Sequence, residues 1–128
     1  CSEEPAGEVL RKMMLIVAEK LMDSKAGAIP LIIIGEAGKF PDLAEFYRSE
    51  VIEITMQALS SVLKRGIETR EFRNVDIMIA VRSIMGVVIM HIIWGQVFET
   101  SKDNHLDPKA VINTHLDIFL NGIVMPQE

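Results

Sequence analysis

Tyr47, Glu50, Arg82, His91 and Trp94 are polar or amphipathic side chains set in otherwise apolar stretches. A few such groups converging on an apolar cavity are what orients a small ligand. Each also suits a plainer role: Glu50 solvation, Arg82 pairing with a carboxylate, His91 a hydrogen-bonded place in a helical core, Trp94 simple packing. Catalytic and metal chemistry have less support. Of His91, His105 and His115, no two stand three or four residues apart, and no HExxH pattern exists. Nucleophile elbow, dinucleotide fingerprint and P-loop are all missing. The only cysteine, Cys1, is terminal and has no neighbouring base. The expectation is a protein that is not an enzyme and takes no metal and no cofactor.

The elements that position these groups come from a chain of 128 residues, 49% hydrophobic and 24% charged. That is one domain, 1–128, able to bury roughly two thirds of its unfolded surface. A lone cysteine excludes an internal disulfide framework. With 13 basic and 18 acidic side chains the net charge is −5, so these residues repel a phosphate backbone and are not expected to hold nucleic acid themselves. Eight methionines against 5% aromatics suit a soft pocket or an interface, since the thioether fills irregular apolar space.

Periodicity predicts five helices and no strand. The first spans Pro5 to Asp23, after Glu3 and Glu4, with Leu10, Met13, Met14, Val17 and Leu21 on one stripe. The second spans Ala28 to Ala37. Its Leu31-Ile32-Ile33-Ile34 run favours strand by propensity, but no partner strand exists, and Pro30 and Gly38 suit a helix start and end. The third opens at Pro41 and runs to about Gly66, with Leu43, Tyr47, Val51, Ile54, Ala58 and Val62 as its apolar face. The fourth, Val75 to Phe98, capped by Asn74 or Asp76, is apolar in every direction and so should be buried all round. Arg82, Ser83, His91 and Gln96 interrupt it, and its longest unbroken stretch, Ile84 to Met90, is far short of the ~20 residues of a membrane span. A helix sandwiched between its own domain and a second subunit is expected instead. After a polar loop, Asp107 and Pro108 open the fifth helix, with Ile112, Leu116, Phe119 and Ile123 in one row and Asn113, Asp117 and Asn121 opposite. Pro126 ends the pattern.

The block Glu36-Ala37-Gly38-Lys39-Phe40-Pro41-Asp42-Leu43-Ala44-Glu45-Phe46-Tyr47 is followed by Glu71-Phe72-Arg73 and by Asp117-Ile118-Phe119-Leu120-Asn121-Gly122. In this order and spacing the series resembles the C-terminal domain of TetR-family transcriptional regulators. The resemblance implies an all-α, five-helix domain that homodimerises through its last two helices as a four-helix bundle. It also implies a small-molecule effector pocket within the earlier helices, whose occupation shifts the spacing of two DNA-reading heads. The basic three-helix DNA-binding unit that opens such regulators has no counterpart in these residues. DNA would be a partner only through that missing unit. Arg70 departs from the small residue or glycine that often precedes the Glu-Phe-Arg turn.

Pocket walls are then expected from Met14, Val17, Leu21, Ile33, Tyr47, Met56, Met85 and Trp94, with Glu50, Arg82 and His91 orienting a small apolar or amphipathic effector. Dimer contacts are expected from Val87, Met90, Val97, Ile112, Leu116 and Phe119, with the core and interface faces open to exchange. A cytoplasmic regulator without a membrane partner follows from this reading. The alternative is a free-standing helical interaction protein, anchored by a lipid on Cys1. Against an anchor, helical periodicity begins by Val9 with no polar spacer, which favours a fragment of a longer chain.

Overall fold

The computed structural model describes residues 4–22, 27–98 and 106–125. Cys1, Glu3, Asp23, His105 and Pro126, all given roles in the sequence reading, lie outside them. The described helices are α1 (Ala6–Leu21), α2 (Ala28–Glu36), α3 (Pro41–Tyr47), α4 (Glu53–Glu68), α5 (Ile77–Ile93) and α6 (Pro108–Ile123). A π turn, Arg48–Ile52, joins α3 to α4 in one rod, and a second, Trp94–Phe98, extends α5. The described chain thus forms five helical rods, the all-α architecture expected.

Local chemistry sets the ends. Asp76 caps α5 by accepting from the Ile79 amide at 3.0 Å, and Asp107 caps α6 by accepting from Ala110 at 3.2 Å. Pro41 and Pro108 occupy first-turn positions. Gly38 does not act as a left-handed cap: no described glycine has a positive φ. Instead the Lys39 and Phe40 amides fold back on the Glu36 carbonyl and lead straight into α3.

α1 packs on α6 and α4, and α5 on α4 and α6. Rows at three- and four-residue spacing fill the space between: Leu10, Met14 and Ala18; Leu59 and Leu63; Ala80, Val81, Ile84, Val88 and Ile92; Ile112 and Leu116. The row expected on the third rod is displaced, because Leu43, Val51, Ile54 and Ala58 face solvent. The C-terminal half of α4 is the part that enters the core, so Leu59, Leu63 and Gly66 are its buried face. The polar side of α6 has a use: Arg11 of α1 donates to Asn113 Oδ1 at 2.8 Å and to Asp117 Oδ1 at 2.9 Å.

The Glu-Phe-Arg turn ties three helix ends together. Glu71 accepts from the Ala6 amide (2.6 Å) and the Gly7 amide (2.9 Å), which no intrahelical carbonyl can reach. Its carboxylate also faces the positive end of the α1 dipole. Phe72 is fully buried over Gly66 and bridges to Val124. Arg73 donates from its backbone to the Ile123 carbonyl (2.7 Å) and from Nε to Gly122 (2.8 Å), meeting the free carbonyls that end α6. Arg70 adopts φ 64°, the left-handed conformation that glycine takes without strain.

Two stability changes of opposite sign follow. A Cβ at Gly66 would stand 2.2 Å from Phe72 Cδ2, so Gly66→Ala should destabilise by about 2–3 kcal/mol although alanine is the better helix former. Arg70→Gly should stabilise by about 1 kcal/mol through relief of the positive φ. Urea unfolding of both variants checks the pair; stabilisation by Gly66→Ala would contradict the packing described.

Candidate functional site

A groove of about 620 Å³ opens between the C-terminal end of α5 and the start of α6, within the size range of small-molecule sites. Met22 and Gly27, at the ends of α1 and α2, form its floor side. Val87, Met90, His91, Ile92, Trp94, Gly95 and Gln96 form one wall, and Leu106, Asp107, Pro108 and Val111 the other. The π turn matters here. It contributes Trp94, Gly95 and Gln96 to the wall, beyond the Met90, His91 and Ile92 of α5. Trp94 also meets Phe98, their ring centroids 5.3 Å apart and tilted by 50°. The wall is mostly aliphatic, thioether and indole. Among the described lining residues the acidic side chain is Asp107, which accepts from the Ala110 amide.

Of the eleven expected ligand contacts, the structure brings His91 and Trp94 to this groove. Met14 is fully buried in the chain's own core and has no surface for a ligand. Val17, Met56 and Met85 pack half-buried against that core. Leu21, Ile33 and Tyr47 are half-buried elsewhere, Tyr47 with its hydroxyl pKa raised by burial. Glu50 and Arg82 are exposed to solvent. The lining residues missed include Val87, Met90, Ile92 and Val111 within α5 and α6, and Met22, Gly27, Leu106 and Pro108 at helix ends. Their convergence is tertiary, and only the Asp107-Pro108 start signal was readable.

The expected dimer contacts divide as well. Ile112 and Leu116 are 0% exposed and sit in the chain's own core, the exchange of faces left open by the sequence. Val87 and Phe119 are half-buried against the core. Met90 and Val97 are exposed and belong to an outward stripe on α5 and its extension: Ile79, Ser83, Gly86, Met90, Trp94 and Val97. Beside it α6 presents Val111, Thr114, Ile118 and Gly122. Ile79 is 68% and Ile118 70% exposed, and neither stripe carries a charge.

Ile77–Phe98 is by length and composition long enough to cross a membrane. Its row Ala80, Val81, Ile84, Val88 and Ile92 is buried in the protein core, while Ile79, Met90, Val97 and Phe98 are exposed, so the helix is not buried all round.

Folded this way, the chain is a helical regulatory domain of the TetR type. It belongs to the family of AefR-like transcriptional repressor C-terminal domains, whose model matches residues 8–122. No curated protein and no solved structure matches it significantly.

His115 stacks on Phe119, centroids 6.2 Å apart, and its buried Nε2 has no hydrogen-bond partner among the described residues. Burial pushes its pKa below the ordinary 6.5. The folded chain therefore favours the neutral ring, while the unfolded chain takes up a proton near 6.5. Stability is complete above that pH and falls as pH drops toward the folded value. His115→Phe should flatten the stability profile as pH falls through 6.5, as read by urea titrations; an unchanged slope would contradict it.

Proposed function

We propose that this chain is the effector-binding and dimerisation domain of a TetR-like repressor, sensing a small apolar or amphipathic molecule in the groove at the α5–α6 end. The observation that carries this reading is the continuity of the groove with an uncharged outward face on the same two helices. A chain of net charge −5 repels its own copies. A second copy meets little Coulomb resistance at a face without charge, and the α5–α6 stripe is such a face. Gly86 supports the same assignment. It sits mid-helix, where glycine costs about 1 kcal/mol relative to alanine, and a Cβ there would meet nothing within 4 Å. Nothing among the described residues needs that space, whereas a close helix crossing from a second copy does.

The mechanism is linkage. A molecule that binds one arrangement of the helices better than another shifts the dimer by its differential affinity, and by no more. DNA reading belongs in this scheme to an N-terminal unit outside these residues, and the working compartment is the cytoplasm.

Sedimentation equilibrium tests the face. The chain should be a dimer. Ile118→Glu places a charge on an exposed position, leaves the fold intact, and should weaken association by at least 30-fold, about 2 kcal/mol or more. A parent chain that stays monomeric at high concentration would favour the free-standing interaction protein instead.

A further inference from the structure

The groove and the uncharged face share residues, and this has a consequence for binding. Met90 and Trp94 line the groove, yet each is about half exposed or more, because both also stand on the outward stripe with Ile79, Gly86 and Val97. Val111 does the same from α6. The groove is thus open along the side where the stripe runs. Sites that hold small molecules tightly enclose most of the ligand surface, which an open-sided groove cannot do.

We propose that the groove is half of a site and that a second copy of this chain supplies its missing wall. Ligand binding and self-association are then one equilibrium. This rests on the sensing and dimer reading above and goes beyond it, since that reading holds equally for a pocket closed within each subunit. The ligand class follows from the walls. Thioethers of Met22 and Met90 and the indole of Trp94 favour a flat, uncharged, apolar molecule. Among the described residues that line the groove there is no Lys or Arg to meet a carboxylate or phosphate, and Asp107 is there instead.

Trp94 is the chain's only tryptophan, so its emission reports on the groove directly. The probe is N-phenyl-1-naphthylamine, an uncharged flat aromatic, titrated into the 128-residue chain with Trp94 quenching as the readout and sedimentation in parallel. Two sites per dimer that exist only in the dimer should tighten association about 100-fold at ten times the probe's Kd. Ile118→Glu lies outside the groove; as a folded monomer by circular dichroism it should lose probe binding at least tenfold. Gly86→Leu, also outside the groove, is the second dimer-breaking variant should the first fail to fold.

A monomeric variant that binds the probe with the parent's Kd would overturn the proposal, placing the wall within one chain while leaving the sensing reading intact. A parent dimer that does not bind the probe would overturn both the half-site and the groove as an apolar site. Variants that remain dimeric would show that the face itself is misassigned, and the half-site would fall with it.

Discussion

The carboxylate of Glu71 reaches across more than sixty residues of sequence to the first two amides of α1, and the residues beside it do equivalent work on α4 and α6. Phe72 fills the notch left by Gly66, and Arg73 closes the last turn of α6. Three helices therefore share one fixed end. A helix end that is buried without partners is costly, so satisfying these groups from one turn dictates where the ends must meet. The directions of the helices do the rest. α1 runs away from the clamp toward Met22, α5 toward Trp94, and α6 comes back from Asp107 to Ile123. The groove lies among the far ends, roughly 24 Å away along sixteen residues of helix. One end of the bundle is locked by hydrogen bonds to backbone; the groove lies at the other.

This division explains the composition of α5. A helix apolar on all sides needs a different neighbour for each face. Its inner row meets α4 and α6 in the core. Its final turns, widened by the π turn, meet the groove. Its outer stripe, with Gly86 in the middle, stands largely exposed among the described residues. The methionine excess belongs to the same economy of shape: Met14 fills core space, while Met22 and Met90 line the groove where an adaptable wall is useful.

Much of the fold was legible in the residues. Asp76, Asp107, Pro41 and Pro108 are local signals, and local signals survive into the structure because they act on the neighbouring three amides. The rows containing Leu10, Ile84 and Leu116 were legible for the same reason. Arg70 was already conspicuous at a position that suits glycine, and its positive φ is the physical cause. The clamp was not legible, because a glutamate that caps a helix sixty-five residues away looks like any surface glutamate. Nor was the groove: periodicity marks helix faces, whereas Met22, Gly27 and Leu106 are helix ends. Periodicity marks Ile112 and Leu116 as one apolar face without saying whose helix covers it, and in the single chain the core buries them.

The central claim is that the Glu71 turn locks one end of the bundle, and native-state hydrogen exchange at the Ala6 and Gly7 amides tests it most directly. First-turn amides of an unlocked helix exchange quickly, by local fraying. The lock requires these two to be protected nearly as well as the core amides of Leu10 and Leu116, and to lose that protection in Glu71→Ala. Rapid exchange in the parent chain, at the rate of a frayed end, would contradict the account.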